Sequence, residues 1–151
     1  MVWSVISMKG PGPLYIVEGT MNSEQYQKVL EKQLLPTMKK WFKKHEKPIF
    51  MHDGAPCHRS KRISTYLEKK KVTVLDWPGN SPDMNPIENI WDFMKREVSK
   101  HAPTTKQDLI HVLNDTWKNN VEIRKKIENC IDSMPRRIAA VLAAKGGHTK
   151  Y

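Results

Sequence analysis

The sequence predicts one α/β domain with an α-helical C-terminal layer. Two short apolar runs, residues 48–51 and 72–75, are bounded by proline or glycine and are predicted to be neighbouring strands, the first of them buried. Between them and after them, apolar residues recur at helical spacing, and from residue 104 onward only helical patterns follow. A chain of 151 residues is long enough for one domain of this kind.

The predicted elements follow in order along the chain. A hairpin over residues 2–7 and 14–17 turns at residues 9–12, where glycine and proline favour a reversal. Asn22 or Ser23 caps a helix that reaches Leu34 and could continue past Pro36 to Phe42. The later elements are a strand at 48–51, a helix at 59–70, a strand from 72, a helix at 86–101, a helix after Thr105 and a last helix at 122–141, kinked or broken at Pro135.

Two carboxylates stand where predicted elements begin or end. Asp53 follows the first strand, at the edge where open α/β sheets bind ligands. Asn85 fits a helix N-cap, Pro86 the first helical position and Glu88 the third, on a helix with one apolar face that would hold Glu88 rigidly. Carboxylates brought together on a basic protein are oxygen ligands for a hard divalent cation that acts on phosphate. We therefore expect Asp53 and Glu88 to meet at one metal site.

Each carboxylate also has a simpler local interpretation. Asn85 with Glu88 fits a capping box, and Asp53 could cap the following helix or accept hydrogen bonds within a turn. Taken alone, either residue favours the local role; the pair and its surroundings favour the metal. Asp92, four residues after Glu88, is expected to pair with Arg96 rather than to support the site. Asp83 is expected to belong to a turn.

The net charge of +10 is unevenly spread. Residues 1–50 carry 8 basic and 4 acidic side chains, residues 51–121 carry 11 and 9, and residues 122–151 carry 7 and 3. Any single basic run is best explained as a solvated helix face, but the summed excess favours binding to a polyanion such as DNA. The candidate phosphate contacts are Lys43, Lys44, Arg59, Lys61, Arg62, Lys95, Arg96, Arg136 and Arg137.

Cysteine content and hydropathy indicate an intracellular, reducing compartment. Cys57 and Cys130 are too few and too far apart for a disulfide framework or a zinc site. No segment is long and apolar enough to span a bilayer, and the first residues lack a signal-peptide pattern. Cys57 is predicted to be a buried thiol and His58 a capping histidine, rather than a nucleophile with its base.

Two longer motifs surround the candidate carboxylates: HDGAPCH around Asp53 and VLDWPGNSPDMNPIENIWDFMKR around Glu88. With these motifs, the stretch from Asp53 to Arg96 resembles the catalytic core of Tc1/mariner-family transposases. The resemblance continues in MVWSVIS and GPGPLYIVEGTMNSEQYQKVLEKQLLP near the start and in SMPRRIAAVLAAKGGHTKY at the end. Gly54 replaces the family's usual asparagine and Ser4 its usual glycine, while glutamate at position 88 indicates the Tc1-like branch.

This resemblance implies an RNase H-like fold of the DDE integrase/transposase type, lacking the first strand, with a core over residues 1–101 and C-terminal helices over 104–145. It implies Asp53 and Glu88 as catalytic metal ligands, with Asp53 on the first ion and Glu88 on the second. Mg²⁺ or Mn²⁺ would be the cofactor. DNA and related transposase subunits would be the partners, with no membrane or small-molecule substrate, and the location would be the nucleus.

The family's first catalytic aspartate lies on a strand before the MVW segment, with which this chain begins. The acids upstream of Asp53 are Glu18, Glu24, Glu31 and Glu46, and none is an obvious substitute. We therefore expect a transposase catalytic-core fragment that does not cut or join DNA as given. Two alternatives stay open: a non-catalytic remnant that binds DNA or a related transposase, and a nuclease with a rearranged metal site.

Overall fold

The computed structural model describes residues 1–76 and 84–145, which fold into short strands and longer helices. The strands are β1 Val2–Trp3, β2 Ile6–Ser7, β3 Gly10–Pro11, β4 Tyr15–Ile16, β5 Ile49–Phe50 and β6 Thr73–Val74. The helices are α1 Ser23–Val29, a π-helical segment Leu30–Leu34, α2 Leu35–Trp41, α3 Lys61–Lys69, α4 Pro86–His101, α5 Lys106–Asn119, α6 Val121–Asp132 and α7 Met134–Ala143. No helix in the described ranges is long and apolar enough to cross a membrane.

The chain divides into two compact units. The first unit comprises Met1–Ser4 and Tyr15–Ser81, and the second comprises Val5–Leu14 and Pro82–Tyr151. Asp53 therefore belongs to the first unit and Glu88 to the second. The single-domain organisation, with its boundary near residues 101–104, stays a prediction.

The N-terminal hairpin forms as predicted, although its turn lies elsewhere. In the first unit β1 runs antiparallel to β4, with Val2 opposite Ile16. In the second unit β2 runs antiparallel to β3, with Ser7 opposite Gly10. The predicted turn at residues 9–12 is wrong, because the reversal occurs at Met8 and Lys9 and Gly10 already pairs in β3. Gly10 has a φ of 110°, which side chains disfavour, so this glycine enters the strand directly from the tight turn.

The predicted helix from Ser23 continues past Pro36 to Trp41 by means of the π-helical segment. The backbone N–H of Leu35 donates to the carbonyl of Leu30, five residues earlier. Pro36 has no N–H to donate, and its ring would clash with the carbonyl four residues before it in a regular α-helix. The wider π turn directly before Pro36 accommodates the proline without ending the helix.

The two strands predicted on either side of Asp53 in the sequence are confirmed as β5 and β6, which pair in parallel, with Ile49 opposite Thr73 and Phe50 opposite Val74. The expectation that the first of these strands is fully buried is wrong. Phe50 is buried, whereas Ile49 is 62% exposed. Side chains alternate between the two faces of a strand, and only the face that carries Phe50 packs inward.

The first unit is held together by apolar side chains of α1, the π-helical segment and α3. Tyr26 on α1 is fully buried and lies near the loop that follows β5, where its ring contacts two histidines. Arg62 Nε on α3 donates to Gln27 Oε1 on α1 at 2.7 Å, which adds a polar link between the two helices. The buried side chains from these three elements are Tyr26, Val29, Leu30, Leu34, Ile63 and Leu67.

The second unit packs α4 against α5 and α6. Trp117 on α5 is central: its ring stacks on Trp91 at 5.4 Å between centroids, and its Nε1 donates to the Gly12 carbonyl at 2.7 Å. The buried cluster is Ile90, Phe93, Met94, Trp117, Ile123 and Ile127. This core holds α4, and with it the backbone of Glu88, in a fixed place within the unit.

The C-terminal helices begin and end largely as predicted. Thr105 caps α5 in a capping box with Asp108. The predicted last helix is broken into α6 and α7 at Ser133, two residues before Pro135. Pro135 occupies the second position of α7, where its missing N–H is tolerated, whereas it would break a continuous helix, so the break falls just upstream.

Candidate metal and nucleic-acid site

Asp53 lies three residues after β5, in the loop that leads to α3, as predicted for a ligand at the C-terminal end of a strand. Its Oδ1 accepts two hydrogen bonds, from the backbone N–H of Ala55 at 3.0 Å and from His58 Nδ1 at 2.6 Å. A carboxylate can only accept, so the imidazole carries its proton on Nδ1. The bond from His58, aided by that from Ala55, lowers the pKa of Asp53 to about 2. Asp53 is therefore ionised at neutral pH, and its side chain is 46% exposed.

Behind Asp53, three rings pack together in an array. His58 lies 4.0 Å from the Tyr26 ring and 5.3 Å from the His52 ring, measured between centroids, and the two imidazoles are nearly parallel. His52 Nδ1 lies 3.0 Å from the Tyr26 hydroxyl, with which it shares a hydrogen bond. Burial lowers the pKa of His52 to about 4, and burial also raises the pKa of the Tyr26 phenol. Both groups are therefore neutral at physiological pH.

Sequence reasoning missed this array. His58 does not cap α3, whose N-cap is Ser60, but binds Asp53 instead. Cys57, predicted to be buried, is only partly buried. The available signal was that Asp53 and His58 lie five residues apart in a loop directly after a strand. A loop has no periodic pattern, so the sequence does not show which of its side chains meet. The local alternative for Asp53 is partly correct, because the bond from Ala55 is a turn hydrogen bond.

We expect the free energy of unfolding to fall as the solution becomes acidic. The pKa of His52 is about 4 in the folded chain against a usual 6.5, so its neutral form contributes stability that is complete above pH 6.5 and lost as the pH falls toward 4. The pKa of Asp53 is about 2 against a usual 3.8, so its contribution is present above pH 3.8 and lost toward pH 2. Urea denaturation across this range would measure both.

The variant His52→Asn provides the control for the upper part of that range. Its side-chain oxygen can still accept from Tyr26, but it does not titrate. We expect the variant to show a flatter pH dependence between 4 and 6.5, the two values that bracket the His52 titration. Equal slopes for the variant and the parent chain would contradict the assignment to His52.

Glu88 occupies the third position of α4, as predicted. Asn85 is the N-cap; its Oδ1 accepts from the Ile87 N–H at 3.4 Å, and its carbonyl accepts from the Glu88 N–H at 3.1 Å. The Glu88 side chain is partly buried. In residues 1–76 and 84–145, no three His, Cys, Asp or Glu side chains are grouped as a metal cluster. The meeting of Asp53 with Glu88 stays a prediction.

The acids near Glu88 differ from expectation in one respect. Asp92 was predicted to pair with Arg96, but its Oδ1 accepts from Lys95 Nζ at 3.1 Å. Partners three and four residues apart both lie on the same helix face, so the sequence could not separate them. Asp83 lies outside the described residues.

Eight of the nine candidate phosphate contacts have exposed side chains. Arg137 is the exception: it is 6% exposed, and its Nε donates to Ser133 Oγ at 2.8 Å. Arg137 is therefore a buried structural residue, and its assignment to DNA is withdrawn. The exposed residues are Lys43, Lys44, Arg59, Lys61 and Arg62 in the first unit, and Lys95, Arg96 and Arg136 in the second.

Comparisons with known proteins agree with the motifs around both carboxylates. The family described as DDE superfamily endonuclease matches residues 1–111, a range that includes Asp53 and Glu88. The chain is 33% identical over 153 aligned positions to the Tcb1 transposase of Caenorhabditis briggsae, and 33% identical over 153 positions to the Tc1 transposase of Caenorhabditis elegans. Each alignment covers 100% of this chain and 54% of the relative, so the chain spans about half the length of these curated relatives.

Solved structures confirm the predicted RNase H-like fold. The catalytic domain of Mos1 transposase, solved with Mg, has a TM-score of 0.80 at 20% identity and covers 99% of this chain and 75% of that chain. A Mos1 mariner paired-end complex with Mn has a TM-score of 0.80 at 20% identity and covers 99% of this chain and 44% of that chain. At this level of identity the likeness establishes the arrangement of the backbone.

Proposed function

The chain belongs to the DDE superfamily endonucleases, in the Tc1/mariner transposase group, and from this premise we propose that it is the catalytic core of a Tc1-like DNA transposase. The reaction we propose is metal-dependent cleavage and transfer of DNA strands. Because the chain spans about half the length of its curated relatives, this reaction is proposed for the whole protein of which such a core is part. A nuclear location would follow from a DNA substrate.

One observation carries the proposal: Asp53 is an exposed, ionised carboxylate at the C-terminal end of a parallel strand pair. Both hydrogen bonds to this carboxylate from described residues fall on Oδ1, which leaves Oδ2 for a cation. Mg²⁺ and Mn²⁺ prefer carboxylate oxygen ligands, so the free Oδ2 of Asp53 is a suitable ligand for either cation. A divalent cation held there would activate water or a DNA 3′-hydroxyl and stabilise the leaving oxygen. In this proposal Glu88 supplies the second carboxylate.

DNA is the partner that the remaining surface supports. Five exposed basic side chains lie in the unit that contains Asp53 and three lie in the unit that contains Glu88. Such side chains neutralise phosphates without reading sequence, so they would position DNA rather than select it. The Mos1 paired-end complexes support extending the proposal to assembly with further transposase subunits at transposon ends.

The test is Mn²⁺ binding by the full chain, followed through the loss of the free Mn²⁺ signal in electron paramagnetic resonance. We expect Asp53→Asn and Glu88→Gln each to weaken Mn²⁺ binding by more than roughly 100-fold. Substitution of a residue that only hydrogen-bonds to a metal ligand typically costs about 10- to 100-fold, and loss of a ligand itself should cost more. Both substitutions keep side-chain size and remove one anionic ligand.

Asp115→Asn is the matched control, because it removes an exposed acid on α5 that has no part in the proposed site. It should bind Mn²⁺ as the parent chain does. If Glu88→Gln behaved like this control while Asp53→Asn lost binding, Glu88 would not be a ligand. If all three variants bound like the parent, the metal site would be wrong altogether.

A further inference from the structure

We propose that His58 is a positioning residue, which fixes the rotation of the Asp53 carboxylate so that Oδ2 is presented to the cation. The inference rests on the proposed function and names the residue that prepares its first ligand. His58 itself does not contact the metal in this proposal; it acts through Asp53.

The contact geometry supports this role. The terminal torsion of an aspartate side chain is broad, so a carboxylate in solvent samples many orientations. Here two donors from one loop, Ala55 N–H and His58 Nδ1, converge on Oδ1 at 3.0 and 2.6 Å. Two directional bonds on one oxygen hold the carboxylate plane and leave its second oxygen in a defined direction.

His58 is in turn held by groups that belong to the core of the unit. Its side chain is 14% exposed, and its ring packs against those of Tyr26 and His52, which also contact each other. Tyr26 is fully buried on α1, a helix that precedes the Asp53 loop by more than twenty residues of chain. The buried Tyr26 ring of α1 therefore fixes the His58 ring, and the hydrogen bond from His58 in turn fixes the Asp53 carboxylate.

The exposure of the pair distinguishes positioning from the rescue of a buried charge. Asp53 is 46% exposed, so water could satisfy its carboxylate without any help from a side chain. Loss of the bond would therefore leave no buried charge without a partner. The role of the bond from His58 is to orient Asp53. Loss of a partner that orients a metal ligand typically lowers metal affinity by about 10- to 100-fold.

Two amide variants give a test that a purely structural role would not pass. In His58→Asn the amide nitrogen takes the place of Nδ1 and can still donate to Asp53; in His58→Gln the amide lies farther out, in the place of Nε2. We expect His58→Ala and His58→Gln to weaken Mn²⁺ binding by the full chain by about 10- to 100-fold. His58→Asn should bind Mn²⁺ within about threefold of the parent, because its amide still donates to Asp53.

Urea denaturation and far-ultraviolet circular dichroism establish that each variant is folded, and His111→Gln on α5 is the control for loss of an exposed imidazole. If His58→Ala does not fold, the comparison of Asn with Gln decides the matter. Loss in Gln with recovery in Asn supports the proposal. Equal Mn²⁺ affinity in the Asn and Gln variants overturns it, and the proposed function stands if Asp53→Asn still loses binding. Unchanged binding in Asp53→Asn overturns both.

Discussion

The affinity of this chain for duplex DNA is expected to fall steeply as the salt concentration rises. The affinity should fall about a thousandfold or more between about 50 and 200 mM salt if six or more of the eight exposed basic candidates neutralise phosphates. Each neutralised phosphate releases counterions, so the logarithm of the association constant falls with the logarithm of the salt concentration by about 0.9 per contact. Fluorescence anisotropy with a labelled duplex of arbitrary sequence measures that slope.

Paired charge variants show whether the binding is local. Lys43→Gln with Lys44→Gln should reduce the slope by about two, because each lysine accounts for about one phosphate. Lys106→Gln with Lys118→Gln removes the same net charge from α5 and should leave the slope unchanged. An equal reduction in both pairs would indicate a general effect of net charge, and an affinity that does not respond to salt would mean that these side chains are only a solvated surface.

Replacement of Trp117 by alanine is expected to lower the free energy of unfolding by about 3–5 kcal/mol. The side chain is 2% exposed, stacks on Trp91 and packs within the core of the second unit. Alanine would leave a cavity and would also leave the Gly12 carbonyl without its donor. Urea denaturation followed by far-ultraviolet circular dichroism would measure the loss without relying on tryptophan fluorescence.

Trp117→Phe separates the two contributions. Phenylalanine keeps an apolar ring against Trp91 but cannot donate to Gly12, so it should retain a large part of the packing energy and lose roughly 1–3 kcal/mol from the unsatisfied carbonyl. A change below about 1 kcal/mol in the alanine variant would contradict the central place of Trp117, since large-to-small changes in cores cost several times more.

Where the sequence contained a local signal, the element was predicted with nearly correct bounds. The start of α4 follows from Asn85 and Pro86, and the start of α5 follows from Thr105, because capping depends on residues adjacent in sequence. The break near Pro135 follows from the geometry of the proline ring. The motifs around Asp53 and Glu88 identified the fold because they resemble a known family, which periodicity alone could not have achieved.

Several of the misses depend on which parts of the folded chain cover a residue, and these cannot be read from its neighbours in the sequence. Ile49 is apolar yet exposed, because burial depends on what covers each face of the strand. Arg137 has the composition of a surface residue but lies one turn after Ser133, whose hydroxyl accepts from it in the interior. The His58 ring that contacts Asp53 packs against Tyr26 of α1, which is far from it in the sequence.

The π-helical segment Leu30–Leu34 has a consequence for comparing this chain with its relatives. A π turn holds one residue more than an α turn, so every residue after it is rotated by about 100° relative to an unbroken α-helix. Lys39 and Lys40 on α2 owe the direction in which they face to that one residue. For a relative that is one residue shorter here and has a regular helix, we expect the alignment gap to fall within Leu30–Leu34 and not in the loop after Trp41.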